Sequence, residues 1–172
     1  LRTIFNLVGP LTNPAAADCQ LLGANTNATA RLLAGALKAL DRSRAIVVCG
    51  NNELDEVALW GTTLALEING ADSDIVEHTW TAADFALPAC DVDSLRVSSP
   101  EESAAMIRSV LGGQPGPARD IGLANTAAAL VARGETSDLV QAARQAATAI
   151  DDGRGHQQLA RLVACSQRLA SS

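Results

Sequence analysis

Two short apolar runs with a helical pattern between them place the strongest limit on how this chain can fold. Residues 19–24 (CQLLGA) and 45–50 (AIVVCG) are both typical of buried strands. Asn27 can cap a helix between them, since apolar residues recur there at helical spacing. These are Leu32, Leu33, Ala36, Leu37 and Leu40. A crossover of this kind joins parallel strands, so the sequence predicts an α/β fold.

The pattern changes after the second run, where a loop leads into two segments that alternate like half-buried strands. They span residues 63–68 and 74–80, and the segment Asn69-Gly70-Ala71-Asp72 between them has the composition of a turn. We therefore predict a β-hairpin beside the crossover unit.

The second half of the chain has helical patterns. Ser99-Pro100-Glu101-Glu102 is a strong helix start, because proline suits the first helical position and Glu102 stands three residues after the Ser99 cap. This helix is expected to end at Gly112-Gly113. From Pro117 onward, Ala and Leu recur at helical spacing and indicate three more helices that cover the sheet. The expected breaks are Gly134 and residues 153–155, with Thr136 as a cap.

Composition argues against two classes of partner. The 172 residues carry a net charge of −6 and 2% aromatic residues, which leaves no basic stripe or stacking surface for nucleic acid. No window approaches the roughly 18 apolar residues of a membrane span. The cysteines are scattered without a CxxC pair, which disfavours zinc and is typical of reduced thiols in a cytoplasmic protein. They are Cys19, Cys49, Cys90 and Cys165.

Two adjacent acids, Asp55 and Glu56, follow the second predicted strand. Open parallel sheets bind ligands beyond the carboxyl ends of their strands, which is where this pair is expected. Mg²⁺ commonly takes one or two carboxylates together with water and substrate phosphate oxygens. The pair therefore suits a magnesium site, although an isolated Asp-Glu pair is more often two solvated loop acids.

Other polar features are ambiguous or structural. Arg2 precedes a turn-rich stretch and has a guanidinium suited to a carboxylate or phosphate, but on chemistry alone a surface arginine near a chain end ranks first. The glycine-rich residues 112–117 follow a helix and lack the Lys-Ser/Thr ending of a phosphate loop, so they indicate a helix stop. His78 and His156 lie in no metal-ligand or nucleophile spacing. No catalytic nucleophile is predicted.

Residues 2–14, RTIFNLVGPLTNP, closely resemble the signature of the anthranilate phosphoribosyltransferases. Further segments resemble that family in the same order, so the resemblance extends over essentially the whole chain. They are residues 20–23, 44–50, 54–56, 84–85, 115–120, 124–130 and 149–153.

The resemblance implies part of a nucleoside-phosphorylase-like large domain, with a mixed, mostly parallel sheet, covering helices and a helical C-terminal half. Residues 1–172 would form the C-terminal portion of the α/β catalytic domain. The N-terminal helical domain, which usually makes a homodimer, and the Gly-Thr-Gly-Gly-Asp pyrophosphate loop would be absent. By position, Arg2 matches the arginine that binds anthranilate, and Asp55 and Glu56 match the pair that binds Mg²⁺.

In the implied reaction, the amine of anthranilate attacks the anomeric carbon of phosphoribosyl pyrophosphate as pyrophosphate leaves. The step needs positioning and a metal but no nucleophilic side chain. Because the pyrophosphate loop would be absent, these 172 residues alone are expected to be inactive. Two departures affect the loop that carries the acids: Asn51-Asn52-Glu53-Leu54 replaces a glycine-containing approach, and Gly61-Thr62-Thr63 stands where Gly-Pro-Thr is common.

Two alternatives remain open at this stage. A related pyrimidine-nucleoside phosphorylase would share the architecture but is expected to lack the stretch at residues 2–14. A non-catalytic paralogue or natural fragment could instead serve as an interaction module. A Gly-Thr-Gly-Gly-Asp loop directly upstream would favour the enzyme over the module.

Overall fold

The computed structural model describes residues 9–12, 17–40 and 42–170, and within them it has an α/β architecture. Four strands form one sheet: β1 (Cys19–Gly23), β2 (Arg44–Gly50), β3 (Thr63–Ile68) and β4 (Val76–Trp80). Five α-helices are α1 (Asn27–Ala39), α2 (Pro100–Leu111), α3 (Pro117–Arg133), α4 (Leu139–Asp151) and α5 (Arg154–Ala170). Three short 3-10 helices span Gly9–Leu11, Ala82–Phe85 and Val92–Leu95. Arg2 and most of the stretch at residues 2–14 lie outside the described residues.

The sheet has the order β1-β2-β3-β4 and is mixed. β1 and β2 are parallel, as the crossover predicted, while the β2-β3 and β3-β4 pairs are antiparallel. The predicted hairpin is confirmed, with its second strand beginning at Val76. The family resemblance led us to expect a mostly parallel sheet. Among the described strands, two pairs are antiparallel and one is parallel, because the hairpin adds two antiparallel pairs beside β2.

Alternate side chains of β2 divide the core into two clusters. Ile46 and Val48 pack on one face with alanines of α3 and α4. Val47 and Cys49 pack on the other face with leucines of α1. This alternation is the period of two that a strand buried on both faces requires. The sheet is therefore a middle layer between α1 and the α3–α4 pair, while α5 packs on the outside against α4.

The predicted helix caps were correct in one case and wrong in two. Ser99 caps α2 as expected, but Glu102 accepts from the backbone nitrogen of Ser98, not Ser99. The α1 cap is Thr26, whose extended backbone lets its hydroxyl accept from Thr29, and Asn27 is already inside the helix. The α4 cap is Asp138 and not Thr136, because the Asp138 carboxylate accepts from two free amide groups of the first turn.

The predicted helix breaks are confirmed. Gly134 ends α3 in the left-handed conformation with φ of 82°, and Gly153 separates α4 from α5 with φ of 73°. Glycine takes this conformation at little cost because it has no Cβ. None of the helices in the described parts of the chain is both long and apolar enough to cross a membrane.

Candidate functional site

The acid pair lies in a loop, residues 51–62, that leaves the carboxyl end of β2 and also covers the carboxyl end of β1. At Gly23, the last residue of β1, a Cβ atom would stand 1.7 Å from the carbonyl oxygen of Asp55. At Gly50, a Cβ would stand 2.7 Å from the carbonyl oxygen of Glu56. Both glycines thus permit the loop to press on the strand ends, and the predicted position of the pair is confirmed.

The start of the loop is a tight turn built from two asparagines. Asn51 and Asn52 have φ of 49° and 57°, in the left-handed region that asparagine tolerates better than most residues. Gly50 and Leu54 exchange two backbone hydrogen bonds of 2.8 and 2.9 Å across this turn. The asparagines therefore adopt a conformation that glycine takes easily. This explains how Asn51-Asn52 can stand where the family pattern has a glycine-containing approach.

A third acid of the loop, Glu53, serves as a brace. Its Oε1 accepts from the Trp60 indole nitrogen at 2.9 Å and from the Asn51 amide at 2.8 Å. Hydrogen bonds from Trp60 and then Asn51 lower the pKa of Glu53. The Asn52 side chain accepts from the backbone of Asn27 at 2.8 Å and so joins the loop to the start of α1.

The end of the loop is held by two side chains from other elements. Asn125 of α3 bonds both polar groups of Val57, accepting from its nitrogen at 2.8 Å and donating to its oxygen at 3.2 Å. The hydroxyl of Thr63, the first residue of β3, accepts from the nitrogen of Ala58 at 3.0 Å. Sequence reasoning missed both residues, although both lie in segments that were compared with the family.

Asp55 and Glu56 themselves are exposed, and within the described residues neither carboxylate has a hydrogen bond or ion pair. Partial burial of the Glu56 side chain, followed by the negative charge of Asp55, raises the pKa of the Glu56 carboxyl. A cation near both groups would relieve this repulsion. Among the described residues no group of three or more Asp, Glu, His or Cys could hold a metal. The two adjacent carboxylates are oxygen donors of the kind that Mg²⁺ takes together with water and phosphate oxygens, and they do not form an all-protein metal cage.

A cleft of about 490 Å³ opens beside Glu56. Its walls come from the loop, the 3-10 helix Val92–Leu95, α2 and α3, and they are mostly apolar. The charged residues in its lining are Glu56 and Arg96, and the Arg96 Nε donates to Asp93 at 2.6 Å. The other lining residues are Leu54, Trp60, Val92, Leu95, Met106, Ile107, Val110, Leu111, Ala118 and Ile121.

The two histidines and the glycine-rich residues 112–117, which the sequence singled out, lie away from the acid pair in sequence and have ordinary contacts. His78 on β4 pairs with Ala65 of β3, lies 3.0 Å from Glu67 and stacks on Trp80. His156 is an exposed residue of α5. The glycine-rich residues 112–117 connect α2 to α3 as the helix stop that the sequence predicted, and Arg119 bonds the oxygen of Gly113 at 2.8 Å.

Comparison with known proteins gives one family. The model of the glycosyl transferase family, a/b domain, matches residues 1–156. The anthranilate phosphoribosyltransferase of Methylocella silvestris is 44% identical over 169 residues, covering 97% of this chain and 47% of the relative. That of Solibacter usitatus is 42% identical over 153 residues, covering 89% of this chain and 44% of the relative. The chain thus spans about half the length of the curated relatives it matches.

Solved structures agree with the fold. The anthranilate phosphoribosyltransferase of Thermus thermophilus has a TM-score of 0.84 at 33% identity, with 95% of this chain and 48% of that chain covered. The Saccharomyces cerevisiae enzyme in complex with PRPP and Mg has a TM-score of 0.80 at 23% identity, with 92% and 46% covered. At that identity the second likeness concerns the fold alone.

Proposed function

The chain belongs to the glycosyl transferase family through its α/β domain, and we propose that it forms the C-terminal part of the catalytic domain of an anthranilate phosphoribosyltransferase. The enzyme would transfer the phosphoribosyl group of phosphoribosyl pyrophosphate to the amine of anthranilate, a step of tryptophan biosynthesis. The observation that carries the proposal is the exposed pair Asp55 and Glu56, which lies beyond the carboxyl ends of two parallel strands and has no side-chain partner among the residues that the structure describes.

In the proposed site, Asp55 and Glu56 would hold Mg²⁺ together with phosphate oxygens of the donor. When bound, the metal would supply charge neutralisation for the departing pyrophosphate. Glu56 has to be ionised to bind a cation, and its raised pKa means that it holds a proton more tightly than a fully solvated acid would, so protons compete with the metal as the pH falls. The braced loop orients the pair, so that little reorganisation is needed when the donor arrives.

Arg2 is proposed to bind the carboxylate of anthranilate through two parallel hydrogen bonds from its guanidinium. This orientation would present the amine to the anomeric carbon, which it attacks as the bond to pyrophosphate breaks. The amine loses one of its two protons as the new bond forms, and the released pyrophosphate or solvent water takes it up. No side chain of this chain acts as a nucleophile in the proposal, and catalysis rests on orientation and charge.

Pyrophosphate recognition requires residues beyond those described so far. The sequence Gly-Thr-Gly-Gly-Asp does not occur among the 172 residues. We therefore assign that loop, the helical domain and a homodimer interface to the other half of the enzyme, and we place the enzyme in the cytoplasm. The names of the relatives disfavour the pyrimidine-nucleoside phosphorylase alternative. An interaction module would not need an exposed acid pair beyond the carboxyl ends of β1 and β2.

The proposal is tested by turnover of the complete enzyme with anthranilate, phosphoribosyl pyrophosphate and Mg²⁺, following the loss of free anthranilate. We expect metal-dependent turnover that stops when Mg²⁺ is chelated. The 172 residues alone should give no turnover, because the groups that bind pyrophosphate are missing. Turnover by the purified 172-residue chain would contradict this division of labour.

The role of Arg2 is tested with Arg2→Lys in the complete enzyme. Lysine keeps the charge but loses the planar fork that matches a carboxylate, so KM for anthranilate should rise more than KM for phosphoribosyl pyrophosphate. Equal changes in the two KM values, or no change in either, would remove Arg2 from the anthranilate site.

A further inference from the structure

The acid pair is directly followed by a buried irregular segment. Asp55 and Glu56 are exposed, whereas Val57, Ala58 and Leu59 are at most 1% exposed. These three residues belong to neither a helix nor a strand. Their amide groups therefore need partners from elsewhere in the protein, because an unpaired buried amide destabilises the folded state.

Asn125 meets this need for Val57. Its carboxamide binds the nitrogen of Val57 at 2.8 Å and the oxygen of Val57 at 3.2 Å, and it also donates to Ile121 within its own helix at 3.0 Å. One side chain thus fixes both polar groups of the residue next to Glu56. The carboxamide is itself carried by α3, which packs on β1 and β2.

Thr63 meets the same need for Ala58. Its side chain is completely buried, and its hydroxyl accepts from the nitrogen of Ala58 at 3.0 Å. Thr63 opens β3, where it pairs with Gly50 on one side and Trp80 on the other. The segment after the acids is consequently held from the helical layer and from the sheet at two successive residues.

We propose that Asn125 and Thr63 are positioning residues for Asp55 and Glu56, which fix the backbone so that both carboxylates meet the same Mg²⁺-phosphate ligand. The inference rests on the proposed function. The acids have no side-chain partners in the described chain, so their placement depends on the backbone. Asn125 and Thr63 are uncharged, so replacing them alters that placement without changing the charge around the metal.

The first test uses Asn125→Ala in the complete enzyme, with Thr126→Ala as the matched control. Thr126 is the next residue of α3, and within the described part of the chain its hydroxyl donates to the oxygen of Gly122 in the same helix. Asn125→Ala should speed hydrogen exchange of the Val57 amide and raise the Mg²⁺ concentration for half-maximal rate by about tenfold. KM for anthranilate should stay unchanged. Thr126→Ala should alter none of these values.

A second pair keeps the test decisive if Asn125→Ala folds poorly. Thr63→Val preserves the shape of the side chain but removes the acceptor for Ala58, whereas Thr63→Ser retains it. Thr63→Val should raise the Mg²⁺ requirement and weaken Mn²⁺ binding measured directly in the presence of phosphoribosyl pyrophosphate. Thr63→Ser should restore both toward the wild-type values.

Asp55→Asn separates failure of this inference from failure of the proposed function. If Asp55→Asn raises the Mg²⁺ requirement while Asn125→Ala and Thr63→Val only lower the melting temperature, the two residues are structural and the inference is overturned. If Asp55→Asn also leaves the requirement unchanged, the metal role itself fails, and the inference fails with it. A raised requirement in all three variants supports it.

Discussion

Two loops join consecutive strands of the same sheet, and both carry acids, yet they are built differently. The loop at residues 51–62, between β2 and β3, is bonded to α1, α3 and β3. The turn at residues 69–75, between β3 and β4, is closed locally by Ser73, whose hydroxyl bonds the oxygens of Asn69 and Gly70. A chain reversal needs only the second kind of construction. The additional contacts of the first loop serve to fix its backbone, which is a requirement of a site.

The acids of the two loops also differ in their position on the sheet and in their bonding partners. Asp55 and Glu56 lie beyond the carboxyl end of β2, and nearby Glu53 accepts hydrogen bonds from Trp60 and Asn51 within the loop. Asp72 and Asp74 lie at the opposite end of the sheet, and Asp74 is 3.9 Å from Lys38. Asp72 is thus an exposed loop acid away from the site, and it is the matched control for the pair.

The largest effect is expected from replacing the glycine of β1 against which the first loop packs. Gly23→Ala would place a Cβ 1.7 Å from the oxygen of Asp55, so we expect a loss of about 3 kcal/mol in the free energy of unfolding together with most of the activity. Gly70→Ala meets open space at φ of 80° and should cost only about 1 kcal/mol of backbone strain. Denaturant unfolding and turnover measure both. Equal effects at the two glycines would erase the contrast between the loops.

The next effect concerns the acids. Asp55→Asn and Glu56→Gln should each lower kcat/KM by about 100-fold at fixed Mg²⁺, because the donor is no longer oriented. The double variant should lose clearly less than the product of the single losses, since both residues serve one metal. Asp72→Asn should keep wild-type kinetics. Losses that multiply would indicate two independent roles.

A smaller effect is expected in the turn at residues 69–75. Ser73→Ala removes the hydroxyl whose one hydrogen is shared between the oxygens of Asn69 and Gly70, and should lower the free energy of unfolding by about 1 kcal/mol. The Mg²⁺ requirement should not change. A shifted requirement would mean that the second loop also communicates with the site.

The smallest effect is a pH dependence of the apo protein. The pKa of Glu56 is raised by partial burial and by Asp55, so the folded state binds this proton more tightly than the unfolded state does. Stability contributed by Glu56 therefore increases as pH falls through its folded pKa, whereas Mg²⁺ binding weakens over the same range. Glu56→Gln should remove this part of the pH dependence in thermal unfolding. An unchanged profile would show that burial and the charge of Asp55 do not raise the pKa of Glu56 in the folded protein.

The sequence predicted those parts of the fold that depend on local patterns. The crossover and the hairpin follow from apolar periodicity, and the helix breaks follow from Gly134 and Gly153. The two wrong caps lay within two residues of the real ones, because several neighbouring side chains can accept from the same free amides and only the backbone conformation decides among them.

The site was predictable only in its exposed part. Asp55 and Glu56 could be located from their place after a strand and from the family resemblance. The Asn125 contact spans 68 residues of sequence, and nothing in the local pattern of α3 distinguishes an asparagine that binds a distant loop from one that faces solvent. The conformations of Asn51 and Asn52 likewise depend on the bridge between Gly50 and Leu54.

The central claim is that Asp55 and Glu56 form one metal site that donor phosphates complete. It is tested most directly by Mn²⁺ binding to the complete enzyme, measured by electron paramagnetic resonance with and without phosphoribosyl pyrophosphate. We predict that the donor tightens Mn²⁺ binding in the wild type and in Asp72→Asn, and that Asp55→Asn combined with Glu56→Gln abolishes the tightening. Equal donor-dependent Mn²⁺ binding in the wild type and the double variant would contradict the claim.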